Sequence, residues 1–414
     1  MKGVFTPMAG WARRTNKGFY REHSSFGSSL SLNFINDNYS LGAVGSQKGT
    51  KAFSDIITFT RASGGGRFNA SGVYEWLGND VPRLDYDPVT LQPRGILIEE
   101  QRTNLLTYSE QFDSPVWAKN AGVVVQPGAA LAPDGTASAA KISGMQAAAG
   151  DRITRTVATS SPITATSSVW VRADSGDVGK TVIFSIRRDT GTVAETQVVV
   201  TLTGVWQRVQ ATLTMLPDNS GLRFIFVRGT ADSFYSWGAQ LEAGAFPTSY
   251  IPTVASQVTR SADVASVNTL SPWYNASEGT LFVEYSRKWG SSPQQGRVAY
   301  LSGPDTNNTI QIRAGGSGAA LGTIADGGVI NADIQSPTLP AAKAKAAFSW
   351  SAAGASLSAN GSFVGEDSSV VIPQGLTTLW LGNSFGNTQL RGHIQSLEYY
   401  PRRLSNTELQ EITA

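Results

Sequence analysis

Residues 209–215 read VQATLTM, with Val209, Ala211, Leu213 and Met215 alternating against Gln210, Thr212 and Thr214. Side chains of an extended chain point to opposite faces in turn, so this two-residue period marks a strand with one apolar and one wet face. The period returns at Leu222, Phe224 and Phe226 after the turn PDNSG, and again at Tyr235, Trp237, Ala239 and Leu241. Upstream, TSSVWVRA (166–173) and KTVIFSIR (180–187) are strand-length, rich in β-branched and aromatic residues, and separated by the turn DSGDVG. Strands recurring about every ten residues without helical patterns between them predict an antiparallel β-sandwich or jelly roll over residues 107–256.

Working outward, residues 257–272 form a polar linker, and 273–414 a second all-β unit. There Leu281, Val283 and Tyr285 alternate, Phe348 pairs with Trp350, and Leu379 and Leu381 share a face that leaves Trp380 on the other. Asn360-Gly361 is a strong hairpin signal, because a two-residue turn needs positive φ at both positions. The alternation in GHIQSLEYY breaks near Gln395–Ser396, which predicts a bulge. The chain closes on LSNTELQEIT, where Ser405 and Glu408 spell a capping box and Leu404 can staple to Leu409. In the other direction, residues 30–106 read as a small β-rich, irregular segment with apolar runs at 30–35 and 53–59, a breaker at SGGG (63–66) and Pro82, Pro88 and Pro93. Such a segment would barely hold a core alone, so it is expected to pack on its neighbours. The fold class is thus mostly β: tandem antiparallel sandwich or jelly-roll domains, an irregular N-terminal arm (1–29) and a short C-terminal helix.

Composition narrows the function. The 414 residues carry 33 Lys plus Arg against 31 Asp plus Glu, a net charge of +2, which argues against a chain-wide footprint for nucleic acid. Charged residues make up 15% of the chain and Gly reaches 43, so Ser, Thr, Asn and Gly must cover much of the surface. Cysteine is absent and histidine occurs twice, as His23 and His393. Disulfides, thiolate metal sites, cysteine nucleophiles and a three-histidine zinc site within one chain are excluded. Neither a secretory signal nor an apolar run of about 18 residues is present, so a soluble chain made in a cytoplasm, without membrane insertion, is expected.

Several stretches carry a resemblance. RGILIEEQRTNLLTYSEQFDSPVWAK (94–119), PDGTASAAKI (133–142), the upstream run from Phe59 to Gly95 and FYSWGAQLEAGAFPTSYIPT (234–253) are similar to tail and virion proteins of tailed bacteriophages. In that family the stretch resembles a carbohydrate-binding-module-like jelly roll. LWLGN (379–383) and the G-x-I…YYPRRLS-x-x-EL pattern (392–409) resemble concanavalin A-like, laminin-G-type sandwiches. The resemblance implies a non-enzymatic virion component such as a tail fibre, baseplate or head fibre. It also implies adhesion to a host-surface glycan and a homo-oligomer, commonly a trimer. In such proteins the N-terminal arm attaches to the particle and other virion proteins, which makes Trp11, Arg13, Arg14, Lys17, Phe19 and Tyr20 the candidate anchor. The competing classes are a purely architectural virion protein and a polysaccharide depolymerase.

Glycan binding requires aromatic faces for sugar C–H surfaces, and Trp170, Trp289 and Trp380 are the candidates. Trp170 and Trp380 stand opposite their apolar neighbours, and Trp289 falls in a loop. Core packing and subunit contacts compete for the same rings. For glycoside hydrolysis two positioned carboxylates are needed. Asp85 and Asp87 share a face of an extended segment, whereas adjacent Glu99 and Glu100 point apart; all four read as salt-bridge or turn residues. No cofactor is implied beyond a structural calcium, for which Asp232, Asp305, Asn307 and Asn308 are oxygen donors without a twelve-residue calcium loop. The glycine runs at 64–67 and 314–318 lack the phosphate-loop pattern and read as turns.

Overall fold

The computed structural model describes residues 26–145, 152–159, 163–189, 191–287 and 295–414. Among these residues the alternating segments pair into two antiparallel β-sandwiches. The middle one stacks two five-stranded sheets. Its first sheet runs Ala118–Lys119, Arg152–Ala158, Gly221–Arg228, Thr181–Asp189 and Ala194–Thr201. The second runs Val124–Ala130, Ala139–Ser143, Ser233–Ala243, Thr164–Ala173 and Gln207–Thr214. The inward rows named by the alternation, including Val169, Phe184, Ala211, Phe224 and Leu241, form one buried core.

The other sandwich is built from both ends of the chain. A ten-stranded sheet places Gly279–Arg287 and Gly392–Tyr400 side by side, and Leu30–Asn33 pairs with the far edge of Gly392–Tyr400, Leu30 opposite Tyr399. Pro93–Ile98 joins the same sheet. The facing seven-stranded sheet includes Thr58–Thr60 and Val264–Val267 beside Thr378–Leu381. Residues 30–106 and 257–272, set apart by the sequence reading as a small segment and a linker, therefore supply strands to this sandwich. The physical reason is that neither can cover its apolar faces alone, and Leu30, Leu32, Ile96, Ile98 and Ala265 are buried in its core. The fold also begins before residue 30, since Ser29 donates its amide to Tyr399 O and its hydroxyl to Trp273 O. The anchor residues 11–20 lie outside the described residues.

The chain leaves for the middle sandwich through Arg102–Asn104 and returns through Val258–Arg260, and these two crossings pair with each other antiparallel. Asn104 locks the crossing in place. Its amide nitrogen donates to Ala239 O and Ile251 O, while its oxygen accepts from the Leu106 and Leu241 amides.

Local signals resolve as expected in several places. Asn360 and Gly361 take φ of 44° and 76° between Gly354–Ala359 and Ser362–Asp367. Gln395 is the extra residue where the pairing shifts from Glu284–Ser396 to Tyr285–Ile394. The reading of SGGG (63–66) as a breaker differs. Gly65 and Gly66 do not break the chain but open the strand Gly65–Phe68, which pairs with Tyr74–Leu77. At Gly66 a side chain is excluded because its Cβ would fall 1.5 Å from the Tyr74 hydroxyl.

The terminal helix Asn406–Thr413 carries the capping box, with Ser405 Oγ accepting from the Glu408 amide. Leu404, Leu409 and Ile412 pack with Phe282 and Tyr400 on the outer face of the ten-stranded sheet. Hydrogen bonds from Arg402, then the Ser405 cap, hold the Glu408 carboxyl at about 2, against an ordinary 4.5. A depressed folded value means that this contribution is complete above about pH 4.5 and is lost as pH falls through about 2. Amide exchange at Leu409 and Ile412 should accelerate over that window; protection unchanged down to pH 2 would show that the cap does not hold the helix.

Candidate functional site

The ends of five strands bring an ionic cluster to the junction of the sandwiches. Arg61, Arg83, Arg260, Glu99 and Asp263 are all at most 1% exposed. Asp263 accepts from Arg61 at 3.1 Å and from Arg83, while Glu99 accepts from Arg83 at 2.9 Å and lies 3.5 Å from Arg260. Ser249 of the middle sandwich donates its amide and hydroxyl to Glu99 at 3.0 and 2.7 Å, so the cluster ties the two units together. The excess positive charge is spread over carbonyls, with Arg61 donating to Ser63 O and Gly78 O and Arg260 to Glu100 O. Glu100 points elsewhere, to Arg102 and Arg391, as opposite faces require.

Above this cluster lies a cleft of about 740 Å³. Its floor is aromatic. The hairpin formed by Gly65–Phe68 and Tyr74–Leu77 lies on the outer face of the middle sandwich, where Tyr74, Trp170, Trp237 and Tyr250 form a buried ring cluster. Ring centroids in it stand 4.8 Å apart for Trp237–Tyr250 and 5.3 Å for Trp170–Trp237. Trp170 is therefore only 4% exposed; it lines the cleft from below and is not a free platform. Arg208, directly opposite Trp170 in the sheet, stacks on that indole at 4.4 Å. The half-buried Phe68 and Trp206 and the buried Phe246 complete the aromatic lining, with Gln207 and Gln210 as amides beside them. The Trp206 indole N–H donates to Leu131 O at 3.1 Å, which fixes the ring.

The carboxylates of the cleft are already engaged. Asp85 is buried, accepts from the Phe68 amide at 2.8 Å and sits 2.8 Å from His393 Nε2. Asp87 instead caps its own turn and pairs with Arg94. Against burial that would raise it, the Thr90 and Val89 amides and Arg94 hold its carboxyl at about 2. The two acids thus face different partners, and the register shifts between Asp85 and Tyr86. His393 Nδ1 lies 3.3 Å from Ser286 Oγ, which completes a Ser–His–Asp chain. Its setting is that of a cross-strand pair: Ser286 sits opposite His393 in mid-sheet, the next amide is spent on Ala341 O, and neither residue lines the cleft. A nucleophile needs an exposed turn and convergent amide donors, which this position does not offer.

Trp380 stands on the outer face of the seven-stranded sheet, half-buried, with its N–H on Ser302 Oγ and Phe385 at 5.0 Å. It is not among the residues that line the cleft. Trp289 lies outside the described residues. The oxygen donors considered for calcium do not gather: Asp232 pairs with Lys180, and Asp305 caps Asn307. Among the described residues no three His, Cys, Asp or Glu side chains converge as a metal site. Phe68, Trp206, Arg208 and Arg287 were not singled out from sequence. A usable signal existed in WQR (206–208), where an indole and a guanidinium share the wet face of a strand.

No family model and no curated protein matches the sequence. Among solved structures, the chain is similar to the CBM40 module of the Ruminococcus gnavus IT-sialidase bound to α2,3-sialyllactose, at 16% identity and a TM-score of 0.30, over 34% of this chain and 84% of that one. It is also similar to the NanB sialidase of Streptococcus pneumoniae, at 15% identity and 0.29, over 36% and 26%. The heptameric SAP-like pentraxin of Limulus polyphemus aligns at 13% identity and 0.27, over 34% and 70%. Likeness at these scores carries no argument about the ligand.

Proposed function

We propose that this chain is a bacteriophage virion protein that adheres to a host-surface glycan through the cleft between its sandwiches. The observation that carries the glycan reading is the lining itself: fixed aromatic surfaces at Trp206 and Phe68 beside amides and guanidinium groups. Sugars present apolar C–H faces and rings of hydroxyls, which match those two kinds of surface. The virion role rests on the sequence resemblance. In this reading residues 1–29 attach to other virion proteins through Trp11, Arg13, Arg14, Lys17, Phe19 and Tyr20, and the chain acts as a homo-oligomer, a trimer by preference. Weak single-site contacts then gain avidity from effective concentration. The role is non-catalytic, because the acids near the cleft are committed to Arg94 and His393.

Binding of the purified protein to isolated host surface polysaccharide tests this reading. Trp206→Ala should weaken binding about tenfold or more, as expected for an aromatic anchor, while leaving the folded core intact. Unchanged binding by that variant would move the site elsewhere on the surface. Immunogold labelling of intact particles tests the location, and particles without label would overturn the virion role. Tight binding to particles with none to any polysaccharide would favour a purely architectural component.

A further inference from the structure

The charges of the cleft do not balance. Among the described residues four arginines line it, Arg67, Arg94, Arg208 and Arg287, against two acids, Asp85 and Asp87. Arg67 is paired with Glu75 at 3.2 Å, Arg94 with Asp87, and Asp85 bonds to His393. Among the described residues Arg208 and Arg287 have only neutral acceptors. Arg208 donates to Thr248 O at 2.7 Å and Ser168 Oγ at 2.9 Å, and Arg287 to Leu339 O at 2.9 Å. Neither has a carboxylate within 4.0 Å among the described residues. Two acids reach Arg208 by their fields: Glu242 is turned onto Thr248 and Gln240, with burial pushing its carboxyl up, and Glu99 is held by Arg83 and Ser249. Burial also pulls the Arg208 guanidinium down from its ordinary value, so its charge is held at a cost.

Resting on the glycan-adhesion reading, we infer that the cleft selects a sugar bearing an anionic group, with Arg208 and Arg287 as the specificity-determining residues. A polysaccharide of neutral sugars would leave both guanidinium charges desolvated beneath it without compensation. One with carboxylates meets them with charge-assisted hydrogen bonds, which are roughly twice as strong as neutral ones. The planar guanidinium fork suits carboxylate, sulfate and phosphate groups alike, so the shared feature is the negative charge beside an apolar sugar face.

The test compares polysaccharides on the unmodified protein before any variant is made. Alginate, polygalacturonate, hyaluronan and polysialic acid would be titrated beside their carboxyl-reduced forms, dextran sulfate, a phosphomannan, and neutral dextran and mannan. At least one charged polymer is expected to bind, and reduction or removal of its anionic group should weaken it tenfold or more. Which of carboxylate, sulfate or phosphate is preferred identifies the source of the charge. Arg208→Gln and Arg287→Gln should each abolish the preference for the charged over the uncharged form, and Trp206→Ala should weaken both forms. Arg287→Gln serves as the second arm if Arg208→Gln fails to fold, because Arg208 also braces Thr248 and Ser168. Trp206-dependent binding of neutral polymers alone would overturn this inference and leave adhesion standing. Binding of no polymer would overturn both. Charged-polymer binding that neither arginine variant changes would reduce the effect to non-specific attraction and sink the assignment.

Discussion

Asp263→Ala is expected to destabilise the folded protein by about 3–5 kcal/mol, the loss typical of breaking a buried ion pair by removing one partner. Asp263 faces three arginines, and without it Arg83 and Arg260 keep Glu99 while Arg61 keeps no carboxylate partner among the described residues, in a site closed to water. The Glu99 amide also loses its acceptor, since it donates to Asp263 Oδ2 at 2.8 Å. The expected readout is a lowered urea midpoint, with the strands Thr58–Thr60 and Val264–Val267 losing amide protection first. Adding Arg83→Met should return part of the loss, because it removes one of the stranded charges and fills its volume with an apolar chain. A midpoint within error of the unmodified protein for Asp263→Ala would mean that the cluster is hydrated and its charges independent.

Trp237→Ala carries an expected loss of similar size, about 3–5 kcal/mol, from a different cause. Trp237 is 1% exposed and touches Tyr74, Trp170 and Tyr250 with centroids at 5.9, 5.3 and 4.8 Å. Removing the indole leaves a cavity the size of two fused rings in a cluster that other rings cannot collapse to fill. It also removes the indole N–H that Ser138 Oγ accepts at 3.0 Å, leaving that oxygen the Thr136 hydroxyl as donor. Because this cluster is the floor of the cleft, polysaccharide binding should fall together with stability, and Trp237→Phe should recover much of both. Circular dichroism is the suitable probe, since the substitution removes a fluorophore. Stability preserved in Trp237→Ala would show that the hairpin from Gly65 to Leu77 is held by its other contacts.

What could be read from sequence was what local chemistry dictates. Two-residue alternation gave the strands around 166–241, Asn360-Gly361 gave a hairpin, the break near Gln395 a bulge, and Ser405 with Glu408 the helix start. Each signal lies within a dozen residues of the feature it specifies. Partners distant in the chain carry no such signal. Nothing local in Leu30–Asn33 says that its neighbour is Gly392–Tyr400, and Arg83 and Asp263 are 180 positions apart. The site shows the same limit more sharply. Alternation puts Trp170, Gln240 and Glu242 on the outer face of the middle sandwich, and an outer face reads as solvent. There a hairpin from residues 65–77 packs Tyr74 on Trp170, which is buried, and Glu242 is sealed by hydrogen bonds from Gln240 and Thr248. Asp85 and Asp87 share parity on paper, but the register shift after Asp85 sends one inward to His393 and leaves the other capping a turn.

The paired crossings at Arg102–Asn104 and Val258–Arg260 bear on how the molecule would transmit tension. A pull entering at Leu30 passes straight into Gly392–Tyr400 through the backbone ladder that joins them. Residues 105–257 depart and return side by side and so hang from the path of that force without lying in it. The middle sandwich is, in mechanical terms, a pendant with respect to a pull between the two ends of the chain, which would peel Leu30–Asn33 from Gly392–Tyr400 at the end where Leu30 faces Tyr399.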